Sequence, residues 1–246
     1  MGFYEEFNKY YDDIFPAAKP QLDFLMARIP IEGKVMDVAC GTGNYAIPLS
    51  VQGNEVFAVD FDEGMIKQLN IKAKLNDIKI HTYKEDMRKI GERLKEHSFE
   101  SIFCIGNSLV HLTKLEEIYR VLNDFYRLLS DNGVLMLQTV NYDRILKYNI
   151  NELPTIENTD AGVKLIRKYR YDQNNNIIHF DTQLAVKKNH EDKSFNNTVP
   201  LYPLRSNEIE EILNNMGFKN LKFYGSFGEA DFCIDSFGMI IEARKF

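Results

Sequence analysis

One stretch limits what this chain can fold into more than any other: Lys34-Val-Met-Asp-Val-Ala-Cys-Gly-Thr-Gly-Asn-Tyr45. Val35, Met36, Val38 and Ala39 make a short buried strand, and Ala46, Ile47 and Leu49 open a helical spacing. Between them, Gly41 and Gly43 allow backbone conformations and close approaches that a Cβ would block. The helix that follows presents unpaired N–H groups at its start, so a ligand can lie on bare backbone there. A second feature stands at the right distance. Glu55-Val-Phe-Ala-Val-Asp60 is another apolar strand ending in an acid, and in nucleotide-binding α/β units such an acid takes ribose hydroxyls.

The same strand–helix alternation continues. The spacing predicts strands at 34–39, 55–60, 78–81, 99–105 and 134–140, with helices at 43–52, 62–75 and 114–129. Asp62 is placed to cap its helix, whose buried face is Met65, Ile66 and Leu69. Asp131-Asn132-Gly133 reads as a turn. The character changes after Asn141. Residues 142–149 read as a short helix, and 163–202 as two or three antiparallel strands with turns at Asp172–Asn176 and Asn189–Lys193. A helix at 206–216 and strands at 218–226 and 234–244 close the series. Before it, residues 3–29 read as two helices with an aromatic stripe of Phe3, Phe7, Tyr10, Tyr11 and Phe15, most of which serve as core.

Three readings of the glycine turn compete. It can be a plain strand–helix turn, but Asp60 argues for a ligand. It can be a dinucleotide turn, since Gly41-x-Gly43-x-x-Ala46 fits that loose fingerprint. Against this, Asp37 lies inside the first strand where an apolar residue belongs, and no second nucleotide-binding half follows. An acid on the first strand suits a ligand with an amine or ammonium near the turn. Composition narrows the partners. A net charge of −6 with intermixed signs and no long basic block points away from nucleic acid. No apolar run approaches the ~20 residues of a membrane span, and the start of the chain lacks a signal pattern. Gly2 is not followed by the residues a myristoyl site needs. Cys40, Cys104 and Cys233 are scattered, with no disulfide or zinc spacing, and no metal site is expected. The expectation is a cytoplasmic protein with a small-molecule partner.

Asp37-Val-Ala-Cys-Gly-Thr-Gly-Asn44 resembles the first motif of class I S-adenosylmethionine-dependent methyltransferases, D/E-x-x-x-G-x-G. The resemblance implies a Rossmann-like α/β fold with a seven-stranded, mostly parallel sheet whose seventh strand is antiparallel. The β-rich excursion then becomes an antiparallel lid over the substrate. It divides the chain into an N-terminal helical cover (1–30), an S-adenosylmethionine-binding α/β domain (31–145 and 206–246) and the insertion (146–205). The implied cofactor residues are Asp37, Ala39, Cys40, Gly41, Gly43, Asn44, Asp60, Phe61, Met65, Asp86, Met87 and Cys104. Of these, Asp37 serves the methionine end, Asp60 the ribose and Asp86 the adenine amino group. The family also places a tyrosine of the N-terminal segment over the site, which makes Tyr11, and less so Tyr4, a candidate; a ring face attracts a sulfonium.

Two short segments carry a narrower resemblance. Ile105-Gly-Asn-Ser-Leu-Val-His-Leu112 and Val140-Asn-Tyr-Asp-Arg-Ile-Leu146, with Tyr202-Pro203 more loosely, resemble glycine and glycine/sarcosine N-methyltransferases. This implies Asn107, His111 and Tyr11 as catalytic residues and Tyr142, Asn107 and Tyr202 as substrate-binding ones. The expected reaction is methyl transfer to a small amine by in-line displacement. O-methylation with His111 as base is the alternative, since imidazole titrates near neutrality, as is a non-catalytic cofactor-binding partner. One departure matters. The family's carboxylate-clamping arginine before Asn-Tyr-Asp is here Val140, which has no donor. Glycine is therefore not the expected acceptor, unless Arg144, Arg170 or Arg205 takes over.

Overall fold

The structure is a computed structural model that describes residues 3–95, 98–188 and 191–246, without the side chains of residues 4, 5, 188, 191 and 192. The side chain of Tyr4 and the first two residues of the turn expected at Asn189–Lys193 lie outside the described residues, as do Met1 and Gly2.

Three short helices open the chain: α1 (Phe3–Phe7), α2 (Tyr11–Ile14) and α3 (Lys19–Met26). The alternating part follows as β1 (Lys34–Val38), α4 (Ala46–Val51), β2 (Glu55–Asp60), α5 (Glu63–Leu75), β3 (Ile80–Lys84), α6 (Ile90–Arg93), β4 (Phe99–Cys104), α7 (Leu115–Leu128), β5 (Leu129–Val140) and α8 (Tyr142–Lys147). Then come β6 (Glu152–Asn158), β7 (Val163–Asp172), β8 (Ile177–Lys188) and β9 (Glu191–Leu201), and finally α9 (Ser206–Met216), β10 (Lys219–Tyr224) and β11 (Gly238–Arg244).

The main sheet has seven strands in the order β10-β11-β5-β4-β1-β2-β3. β1 pairs parallel to β2 and β4, and β11 runs antiparallel to both β5 and β10. This is the expected mixed sheet. Its faces are covered because buried residues recur at helical spacing on both sides. Ile118, Val121, Leu122 and Phe125 of α7 join Ile209 and Leu213 of α9 over one face. Phe24 and Leu25 of α3, Leu49 of α4 and Leu69 of α5 cover the other. Arg28, just after α3, ties that layer to the sheet. Its Nε donates to Glu242 Oε2 at 2.7 Å, and its guanidinium lies 3.5 Å over the Phe24 ring.

Three expectations need correction. The excursion is a separate sheet of four strands, β6-β7-β8-β9, and begins at Glu152 rather than Val163. β6 escapes a pattern search because it carries Pro154 and mostly half-buried or exposed residues. The third strand is Ile80–Lys84, shifted from 78–81. The turn at Asp131–Gly133 survives as an irregularity within β5. Asn132 has φ 63°, and the pairing with β4 jumps from Phe99–Leu129 to Ser101–Val134. The aromatic N-terminal segment packs on the inserted sheet, where Ile14 meets Val163, Leu165, Leu184 and Val186.

Candidate functional site

The turn after β1 is built from left-handed backbone. Ala39 has φ 61°, Gly41 55° and Gly43 87°. A Cβ on Gly41 would stand 3.1 Å from the Tyr11 ring, and one on Gly43 would collide with Leu69 Cδ1. Glycine at these two positions therefore serves close packing as well as backbone freedom. Asp60, at the end of β2, clamps the turn from the side: Gly41 N donates to its Oδ2 and Asp62 N to its Oδ1, both at 2.8 Å.

Asp37 is 2% exposed, and its Oδ2 has no hydrogen-bond partner. Burial, then the nearby Asp60, hold its carboxyl well above the usual range. An unpartnered buried carboxylate is costly, and a cationic group delivered to it would relieve that cost. Asp60 is raised by the same burial, though its backbone donors oppose this.

Above the turn lies a cavity of about 560 Å³. Asp37, Ala39, Cys40 and Asn44 form its floor. Asn107, His111, Gln138 and Val140 come from the ends of β4 and β5, the ligand side of an open α/β sheet. Phe7, Tyr11 and Phe15 close it from the N-terminal helices, and Leu165, Arg167, Tyr169 and Phe180 roof it from the inserted sheet. The N-terminal segment is latched to the turn. Thr42 Oγ1 donates to Asp12 Oδ1 at 2.5 Å, Asn44 Nδ2 donates to the Phe15 carbonyl at 2.8 Å, and Asn8 Nδ2 donates to Asp62 Oδ1 at 2.9 Å. Asp12 also pairs with Lys72.

Of the residues read from sequence, Tyr11, Asp37, Ala39, Cys40, Asn44, Asn107 and His111 line this cavity together. Asn107 is held firmly. Its backbone has φ 64°, its Oδ1 accepts from Val140 N at 2.9 Å, and its Nδ2 donates to the Tyr142 hydroxyl at 3.0 Å. It ties the loop after β4 to the start of α8. Tyr142 is fully buried beneath it, outside the cavity lining. His111 reaches the open space of the cavity while protein surrounds it, and that enclosure lowers its pKa. The Tyr11 hydroxyl is pushed up by burial and by Asp60, so it stays protonated. The Cys40 and Cys104 thiols are raised by burial and inert as nucleophiles.

Other expected residues stand elsewhere. Tyr202 turns its hydroxyl to Glu208 Oε1 at 2.8 Å and does not line the cavity. Phe61 is 72% exposed, Met65 is buried, and Met87 packs partly buried against the core. Asp86 is gripped by Arg88, whose Nη2 donates to Oδ2 at 2.6 Å and holds its carboxyl below the usual range. The three arginines named as replacements for the missing clamp are also committed. Arg144 lies 4.4 Å over the Phe237 ring, Arg170 pairs with Asp181 at 2.5 Å, and Arg205 pairs with Glu208 at 3.4 Å. Sequence reasoning missed Gln138, Tyr169, Phe180 and Arg167. The last had a signal: Arg167 sits in phase with the buried Val163, Leu165 and Tyr169 of β7. Among the described residues no group of three or more His, Cys, Asp or Glu could hold a metal, and no helix is long and apolar enough to cross a membrane.

Residues 35–133 match the methyltransferase domain family. A glycine/sarcosine N-methyltransferase of Aphanothece halophytica is 30% identical over 196 residues, which cover 80% of this chain and 70% of that protein. Among solved structures, an S-adenosylmethionine-dependent methyltransferase from Clostridium acetobutylicum superposes with a TM-score of 0.82 at 15% identity, covering 98% of each chain. The CcbJ methyltransferase from Streptomyces caelestis does so with a TM-score of 0.81 at 20% identity, over 97% of this chain and 96% of that one. The lining fits that cofactor in one respect on chemical grounds: a buried carboxylate with an unpartnered oxygen, Asp37, suits a ligand that carries an ammonium. The chain belongs to the class I S-adenosylmethionine-dependent methyltransferases.

Proposed function

We propose that this enzyme methylates the nitrogen of a small amine held in the cavity between the glycine turn and the inserted sheet. The observation that carries this is the cavity itself: its walls come from the turn, the N-terminal segment and the insertion, which suits a small acceptor. The name of the Aphanothece halophytica relative supports nitrogen as the acceptor atom.

S-adenosylmethionine supplies a methyl group on a positively charged sulfur. In this reading Asp37 takes the cofactor's ammonium, and Asp60, with acceptor capacity left beyond its backbone donors, takes ribose hydroxyls. Ala39, Cys40, Gly41, Gly43 and Asn44 provide the surface beneath, and the half-buried Asp86 and Met87 serve the adenine end. Tyr11 stays neutral and offers a ring face beside the turn. Catalysis then rests on alignment and exclusion of water, for which the N-terminal segment acts as cover and the inserted sheet as substrate lid. Asn107 fixes the loop that faces the acceptor. An amine brings its own lone pair and sheds one proton, for which the His111 imidazole in the lining, its pKa lowered by the surrounding protein, is the base in this reading. A hydroxyl acceptor would ask more of that imidazole, because a lowered pKa makes it a weaker base.

Purified enzyme with S-adenosylmethionine and a panel of amines, amino acids and phenols tests this, scored by S-adenosylhomocysteine release and by mass-spectrometric location of the methyl. N-methyl products from amines are expected. Methylation confined to phenolic oxygens, and abolished in His111→Gln, would instead establish the O-methyl reading.

A further inference from the structure

The inward face of the inserted sheet is apolar except along one line. Register places Arg167 of β7 opposite Leu153 of β6 and Thr182 of β8, and Thr182 opposite Asn197 of β9. Side chains directly opposite one another share a face, and all four of these line the cavity. The rows on either side are Leu165–Leu184–Phe195 and Tyr169–Phe180–Val199. A guanidinium, a hydroxyl and an amide thus cross a greasy roof in one polar row.

Arg167 is the one permanently cationic side chain lining the cavity among the described residues. Its Nη2 donates to the Pro154 carbonyl at 2.6 Å, but its Nε is buried with no partner. No carboxylate lies within ion-pairing distance of it among the described residues, and burial depresses its pKa. Natural proteins rarely leave a guanidinium half-buried and unpaired, because the desolvation goes uncompensated. Such a group calls for a reason, and in the wall of a cavity a ligand that completes it is one.

We propose that the methyl acceptor carries a carboxylate, and that Arg167 of the inserted sheet binds it. This rests on the small-acceptor reading above. One guanidinium with two neutral neighbours matches a monoanion, and its planar fork suits carboxylate geometry. The cavity then has two poles on different walls: Asp37 for the cofactor's cation and Arg167 for the acceptor's anion. The position before Asn141, where Val140 offers no donor, is served from a different element.

The test uses the full chain, its Arg167→Met and Arg167→Lys variants, and matched acceptor pairs: amino acids and hydroxybenzoates against the corresponding amides. Binding of benzoate and benzamide is measured separately by calorimetry without turnover. Wild-type enzyme should prefer acids over amides. Arg167→Met should raise the KM for acids roughly 10- to 100-fold, the value of a charge-assisted contact, and should cost far more with acids than with the matched amides. Arg167→Lys should recover part of the loss. Benzoate should bind wild type and not Arg167→Met. An arginine kept for folding would lower the melting temperature when replaced, whereas Arg167→Met should melt no lower than wild type. Equal use of acids and amides by wild type, or benzoate binding indifferent to Arg167, would overturn the proposal. Arginine-dependent methylation of hydroxybenzoates alone would uphold it while refuting the amine reading.

Discussion

Replacing Asp37 by asparagine should move stability and cofactor affinity in opposite directions. Asp37 is buried, has an unpartnered Oδ2 and sits beside Asp60. Its folded-state pKa is raised, so the native protein holds that proton at pH values where the unfolded chain has lost it. Stability without cofactor must therefore fall as pH rises from the unfolded carboxylate value through the raised folded one. Asparagine keeps the shape and removes the charge. The relief is about 1 kcal/mol, the low end of the ~1–3 kcal/mol of an unsatisfied buried group, because the amide is itself imperfectly paired. For a chain of this size that raises the melting temperature by about 2–4 °C. The gain should be largest at pH 8 and shrink towards pH 5. Loss of the charge-assisted contact should weaken S-adenosylmethionine binding roughly 10- to 100-fold. Wild-type affinity should itself tighten as pH rises and Asp37 ionises. Melting curves with and without cofactor, together with calorimetric titration at several pH values, measure both effects. An Asp37→Asn protein that melts lower than wild type without cofactor, or binds cofactor as well as wild type, would refute the reasoning.

Ala39→Gly should stabilise the fold by about 1 kcal/mol, since a left-handed φ of 61° costs alanine and not glycine; a urea midpoint reads this. Gly43→Ala should cost about 2 kcal/mol or more, because the added methyl meets Leu69 at a left-handed position, and it should melt lower even with saturating cofactor. Arg28→Ala should cost less in denaturant unfolding than the ~3–5 kcal/mol of a broken buried pair, because Glu242, 5% exposed, keeps the Tyr224 hydroxyl at 3.3 Å and Arg244 at 3.6 Å. The double change Arg28→Met with Glu242→Leu should recover most of that loss.

The parts of this molecule that were legible in its sequence are those whose chemistry is local. Asp37, Gly41, Gly43 and Asp60 fall within one strand–turn–helix–strand unit, and each restricts the others, so they carried the family resemblance that implied the mixed seven-stranded sheet. The inserted sheet was read as too short because the half-exposed β6, with Pro154, lacks the alternation that marked β7 and β8. Arg167 was passed over for a different reason. Its meaning comes from lying opposite Thr182 and in line with Asn197, and only strand register reveals that. Arg144, Arg170 and Arg205 were attractive as formal charges, but the folded chain had already paired or stacked each of them. Tyr202 lay near the right segment, yet its hydroxyl was taken by Glu208.

The place of β11 between β5 and β10 has a consequence for how the protein is made. β5 emerges from the ribosome long before β11, and residues 141–237 separate the two. At ordinary synthesis rates that is a delay of roughly 5–20 s. During it the apolar edge of β5, from Val134 to Val140, has no strand to pair with. The nascent chain is then most open to wrong pairing and to capture by chaperones.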